Sequence, residues 1–251
     1  MQGPRPLQGL VAFVTGAARG LGEAIAQGLA EAGARVALAD VDPAVDAAAA
    51  RLCTAGHECV ALRLDVRDEA AFSQAFDLAV IRWGAVDILV NNAARTPGTS
   101  LWDITQEEWD EVMAVNLRGS FFGCRIAGRH MRARGAGRII NLSSLAGQQA
   151  SSATGLHYAA SKAGLLALTR SFAQELAPHG VTVNTLAPAA IRGPVLDALD
   201  GARQAALAAS IPLGRFGEAG EVAAAAVYLA SPAAAFMTGA TIDLNGGRLM
   251  R

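Results

Sequence analysis

Charge is scarce in this sequence: 17% of its 251 residues are Asp, Glu, Lys or Arg, and the signs nearly cancel to a net charge of −1. Without a broad basic field, nucleic acid and anionic membrane surfaces are disfavoured, and a small molecule is the expected partner. Cysteine is scarce too. Cys53, Cys59 and Cys124 are an odd count without metal-ligand clustering, and His57 between the first two completes no zinc spacing. Neither a disulfide framework nor a metal site is expected. Long apolar runs are also missing. Residues 10–14 are too short for the core of a signal peptide, and the alanine-rich stretch 222–242 is interrupted by Ser231, Pro232, Thr238 and Gly239. A cytoplasmic protein without a membrane span is expected. No repeat, low-complexity tract or Pro/Ser-rich linker divides the chain, and at this length one domain can bury roughly 70–75% of its unfolded surface.

What is present is apolar: 52% hydrophobic residues and a mean hydropathy of +0.30. That balance suits a parallel sheet covered on both faces, with apolar surface left over for contacts between subunits, and so a homo-oligomer. Short β-branched runs at 11–15, 35–39, 60–64, 88–91, 138–143, 181–187 and 240–244 read as strands. Helical patterns lie between them, among them 22–32 and 107–131. Regular alternation means parallel strands joined by right-handed crossovers, so the expected fold is α/β, a doubly wound sheet of about seven strands flanked by helices in a single domain. Ligands in such sheets bind beyond the carboxyl ends of the strands. The one long departure from alternation, 191–217, reads as a loop-rich substrate lid.

After the first strand comes Thr15-Gly16-Ala17-Ala18-Arg19-Gly20-Leu21-Gly22, opening a helix. Glycines there let the backbone turn sharply and bring a pyrophosphate against free N–H groups at the helix start. This Rossmann-type turn predicts a bound dinucleotide. Asp40 ends the second strand, about 20 residues on, where an acid binds the adenosine ribose. Its carboxylate would accept from both ribose hydroxyls and repel a 2′-phosphate, which selects NAD over NADP; Arg19 is a candidate phosphate contact.

With these residues in place the sequence resembles the single-domain, short-chain dehydrogenase/reductase family over nearly its whole length. The resemblance rests on Thr15 to Gly22, Leu64-Asp65-Val66, Asn91-Asn92-Ala93-Ala94 and Asn116 in Val115-Asn116-Leu117. It implies that Asp65 and Val66 contact adenine, that Asn92 and Ala93 border the cofactor and Asn91 supports the central strands, and that Asn116 orders a water in a proton relay.

The chemistry is expected at Tyr158-Ala159-Ala160-Ser161-Lys162. Four residues apart on a helix, Lys162 shares a face with Tyr158. A phenol with a pKa of about 10 needs a fall of roughly 2–3 units to work near neutrality, about 3–4 kcal/mol. One positive charge at about 4 Å and an effective dielectric near 20 supplies about 4 kcal/mol. The resemblance adds Ser144, second of the pair ending Asn141-Leu142-Ser143-Ser144, as the group that orients the substrate oxygen. Ser144 and Tyr158 stand one residue further apart than is usual in the family, consistent with an insertion near 148–152. After the sixth strand, Pro188-Ala189-Ala190-Ile191-Arg192-Gly193 has alanine for the family's glycine and Gly193 near its threonine, so Pro188, Ala189 and the backbone of Ile191 are left to orient the nicotinamide.

Arg95, Trp102, Gln148, Gln149, His157, Arg192 and Leu196 are the expected substrate wall. The two glutamines favour a polyol, sugar or small hydroxy-ketone. The layout also resembles the 3-oxoacyl (carrier-protein or CoA) reductases, against which stand Asp40 and His179, where those enzymes commonly present an arginine. The non-enzymatic alternative is an NAD-binding sensor or scaffold. The final stretch 239–247 resembles the family's last strand and turn, which pack at a two-fold interface, usually in a homotetramer.

Overall fold

The computed structural model describes residues 5–150, 154–197 and 200–250. β1 (Val11–Thr15), buried along its whole length, lies inside a seven-stranded parallel sheet. On one side of it are β2 (Arg35–Asp40) and β3 (Cys59–Arg63). On the other are β4 (Ile88–Asn91), β5 (Gly137–Leu142), β6 (Val181–Pro188) and β7 (Thr241–Leu244). The order β3-β2-β1-β4-β5-β6-β7 reverses between β1 and β4, and the crevice of a doubly wound, Rossmann-type sheet opens there.

Period-2 alternation divides β1 between two cores. Ala12 and Val14 face Ile25, Leu29, Val222 and Leu229, whereas Val11 and Phe13 face Phe72, Phe76 and Met131. The first layer is built on α1 (Gly20–Glu31), α2 (Ala44–Thr54) and α9 (Ala219–Ala230). The second is built on α3 (Glu69–Trp83), α5 (Gly119–Arg134) and α6 (Leu156–Leu176). With both faces covered, a strand need not alternate with polar residues, which is why these runs are so uniformly apolar.

Two regions depart from the expectation. The single helix expected over 107–131 is α4 (Gln106–Met113) and α5, joined by a π-helical turn, Ala114–Arg118, that holds Asn116. One residue too many for the α-ladder leaves apolar periodicity almost unaltered, so the pattern does not announce it. The 191–217 stretch contains α7 (Pro194–Asp197) and α8 (Gly201–Ala209). Its ends meet in a parallel bridge between Ile191 and Gly217, so the excursion leaves and rejoins the body at one point. Alanines give α8 its helix propensity but little apolar stripe to read. Among the described residues no helix is long and apolar enough to cross a membrane.

Candidate active site

A cavity of about 1340 Å³ opens over the carboxyl ends of β1 to β6. It exceeds the roughly 300–1,000 Å³ of an ordinary small-ligand site, leaving room for a dinucleotide with a substrate beside it.

One end is the glycine turn. Gly16 and Gly20 have φ of +66° and +60°, a conformation that costs other residues strain. Gly22 faces a different limit: a Cβ there would lie 2.0 Å from the carbonyl oxygen of Gly16 and 2.5 Å from Asn92 Nδ2. Gly22→Ala must therefore displace backbone, and a loss of about 1–3 kcal/mol is expected, read as a fall in melting temperature. No side chain caps the N-terminus of α1, so its first N–H groups remain open to an anion at the cavity wall. Thr15, expected to touch the cofactor, does not line the cavity. Its hydroxyl donates to Val90 O and accepts from the amides of Asn92 and Ala93. Asn92 Nδ2 in turn donates to the carbonyls of Thr15 and Gly16 at 3.0 Å. Both side chains thus tie the turn to the end of β4. Arg19, Gly20, Leu21, Gly22, Asn92 and Ala93 do line it.

Asp40 stands at the far end of the turn, its Oδ2 accepting from the amide of Ala18 and its Oδ1 from that of Asp42, both at 2.9 Å. Arg19 pairs with Asp42, so its charge is already countered. Asp65 and Val66 border the same end. A hydrogen bond from Arg67 holds the Asp65 carboxyl below its ordinary range.

The other end rests on a buried polar ladder. Asn91 donates to Asn141 Oδ1 at 2.8 Å, Asn141 to Thr169 at 2.8 Å, and Thr169 meets Thr185 at 2.7 Å. Linked in this way, the ladder fixes β4, β5, β6 and α6 relative to one another, with Asn91 Oδ1 left without a partner among the described residues. Asn116, fully buried, has both amide hydrogens in use, on Arg95 O and Ser161 Oγ at 3.0 Å, and its Oδ1 accepts from the Arg95 amide at 2.8 Å. Its side chain fixes the segment after β4.

Ser144 follows β5, and Tyr158 and Lys162 lie on the first turns of α6; all three line the cavity. Thr96 also lines the cavity, beside Ser144 and Tyr158. Thr96 is absent from the expected set. Its only signal was a hydroxyl two residues beyond Asn91-Asn92-Ala93-Ala94, at the end of a central strand. Lys162 Nζ donates to Leu142 O at 2.6 Å and lies 5.6 Å from the centre of the Tyr158 ring.

The electrostatics differ from the expectation. Burial pushes the Tyr158 phenol up, against the hydrogen bonds of Ser144 and Thr96 that pull it down. Burial also lowers the Lys162 ammonium to about 8. The lysine charge is itself desolvated and is directed at a carbonyl, so in the ligand-free protein it does not bring the phenol down.

On the substrate side, Arg95, Gln149, Arg192 and Leu196 line the cavity, as do Pro188, Ala189 and Ile191. Three expected wall residues do not. Gln148 turns away to donate to Asp243 at 2.6 Å. His157 is 0% exposed and bonds Glu108. Trp102 points outward, 89% exposed. Both arginines are paired, Arg95 with Glu111, and Arg192 with Glu218 and Asp197. The expected insertion at 148–152 falls partly outside the described residues.

Comparison with known proteins agrees with this architecture. A family profile described as enoyl-(acyl carrier protein) reductase matches residues 16–248. The sorbitol dehydrogenase of Cereibacter sphaeroides is 36% identical, over 97% of this chain and 99% of that protein. The 3-oxoacyl-(acyl-carrier-protein) reductase of Vibrio cholerae is 39% identical, again over 97% and 99%. A crystal structure provisionally assigned as a gluconate dehydrogenase from Agrobacterium tumefaciens superposes with a TM-score of 0.93 at 33% identity, covering 98% of each chain. Matches of this length, on a sheet of this order, mean that the chain belongs to the short-chain dehydrogenase/reductase family of oxidoreductases.

Proposed function

We propose that the protein is an NAD(H)-dependent dehydrogenase that interconverts a secondary alcohol and a ketone, its substrate a polyol, sugar or small hydroxy-ketone. The observation that carries the reading is the convergence of Ser144, Tyr158 and Lys162 on one wall of a cavity, across from an uncapped glycine-rich helix start.

The residues fit a dinucleotide. The N-terminus of α1 with Gly16, Gly20 and Gly22 would hold the pyrophosphate, and Asp65 and Val66 would border the adenine. Asp40 has used one acceptor site on each oxygen, and a carboxylate offers about four, which leaves it able to accept from two ribose hydroxyls. The bridge at Ile191 uses the carbonyl of Ala190 and the amides of Gly217 and Arg192, so Ile191's own amide and carbonyl stay outside it and suit a carboxamide. When bound, the nicotinamide would supply the carbon that exchanges hydride with the substrate and, oxidised, a positive charge.

In this account Ser144 and Tyr158 hold the substrate oxygen. Tyr158 gives its proton to the forming alkoxide in reduction and takes the hydroxyl proton in oxidation, and Lys162 favours the phenolate. Asn116 acts by fixing the 95 segment against α6, and a relay water would meet its backbone. The excursion over 191–217 is the proposed lid, with Leu196 and Leu207 on its cavity side. The assembly proposed is a homotetramer.

A second reading, a 3-oxoacyl thioester reductase, is favoured by the Vibrio cholerae relative. Initial rates on a panel of polyols, sugars, hydroxy-ketones and 3-hydroxyacyl thioesters separate the two. The proposed function predicts turnover within the first three classes, with NAD for the alcohols and NADH for the ketones, and turnover of thioesters alone would replace it. Cofactor choice tests Asp40 independently. A 2′-phosphate held about 4 Å from that carboxylate is opposed by about 2–4 kcal/mol, so kcat/KM should favour NAD by 10²-fold or more. Asp40→Asn keeps the acceptor for Ala18 but removes the charge, and the preference should narrow by about 10²-fold. An unchanged ratio would assign selectivity elsewhere.

A further inference from the structure

We propose that His157 is a positioning residue: bound to Glu108, it holds the 95–100 segment so that Thr96 stands in the cavity wall beside Tyr158. The inference rests on the reading of Tyr158 as the acid/base residue.

His157 immediately precedes Tyr158 on the first turn of α6 and is entirely buried. Its Nε2 lies 3.1 Å from Glu108 Oε1, and the same oxygen accepts from Thr99 Oγ1 at 2.6 Å. The hydrogen bonds from Thr99 and then His157 hold the Glu108 carboxyl below its ordinary range. An ionised carboxylate only accepts, so the imidazole carries a hydrogen on Nε2. Nδ1 is buried with no hydrogen-bond partner among the described residues. An apolar side chain would fill this place without that penalty, so what the imidazole contributes is the directed bond to Glu108.

The ring has little room to swing. A Cβ on Gly155 would come within 2.3 Å of its Cε1. Gly155 also donates its amide to Pro97 O at 3.0 Å. The segment after β4 is therefore held at Arg95 by Asn116, at Pro97 by Gly155, and at Thr99 by the Glu108–His157 pair. Thr96 lies between these anchors and lines the cavity with Tyr158. A hydroxyl held there is placed to reach the phenol, which donates one hydrogen bond and accepts others.

Amide hydrogen exchange and steady-state kinetics on the full chain test this. His157→Leu should raise exchange over 95–100 about tenfold and lower kcat/KM for the alcohol about tenfold, with NADH affinity within about twofold of wild type. His157→Gln, whose amide can still donate to Glu108, should recover most of both. In a Thr96→Val background His157→Leu should cost little more, because the two act through one contact. Unchanged exchange over 95–100, or losses that simply add, would overturn the proposal. If His157→Leu does not fold, Glu108→Ala, which removes the acceptor itself, carries the same test from the exposed side of the pair. Should Tyr158 not be the acid/base residue, exchange would still respond while kcat/KM would not follow it, so the two failures are distinguishable.

Discussion

Tyr158→Phe is expected to turn over about 10²–10⁴-fold more slowly than wild type while binding NADH equally well. Positioned acid–base catalysis contributes rate factors of that order, and phenylalanine keeps the ring while removing the proton. Ring packing alone would leave the rate within a few fold. NADH fluorescence titration beside initial-rate measurement separates a lost chemical step from a lost cofactor site.

Lys162→Met should lower turnover by about 10²-fold and yet make the protein more stable. The lysine is buried and its ammonium lowered from 10.5 to about 8, a difference worth about 3 kcal/mol against the charged form. Part of that is offset, since Leu142 O loses its donor, at about 1–3 kcal/mol. A net gain of about 1 kcal/mol is expected near neutral pH, or about 2–4 °C in melting temperature. The folded state binds fewer protons than the unfolded one between about 8 and 10.5, so wild-type stability rises with pH in that window. The advantage of Lys162→Met should therefore be full below pH 8 and fade as pH rises towards 10.5. Lys162 is the only lysine in the chain, so ¹³C-lysine labelling gives a single Cε signal whose titration reads its ionisation directly. A midpoint near 10.5 would remove both the stability gain and its pH dependence.

The strands were legible because a fully covered parallel sheet writes itself as short apolar runs, and β1 and β4 have the expected bounds. Tyr158 and Lys162 were legible because four-residue spacing on a helix forces proximity. Gln148 and His157 were not, since their partners Asp243 and Glu108 lie 95 and 49 residues away in sequence. A polar residue beside a catalytic one reads as a wall until its direction is known. Thr15 was assigned to the cofactor because it borders the glycine turn, whereas its hydroxyl ties that turn to the end of β4; Asn92 does the same and also lines the cavity. The effect of Lys162 on Tyr158 was sized from spacing and a mean dielectric. Burial acts on both groups at once, which spacing does not show.

The central claim is that Tyr158 becomes the acid/base group once the cofactor is in place. The chain has two tyrosines, and Tyr228 is partly exposed on α9, so Tyr228→Phe leaves Tyr158 as the sole phenol. Ultraviolet titration of tyrosinate in that variant should place the ligand-free midpoint above 10, in the direction burial sets. Saturating NAD should lower it by at least about one unit, as a second positive charge joins Lys162. A midpoint that NAD does not move would contradict the account.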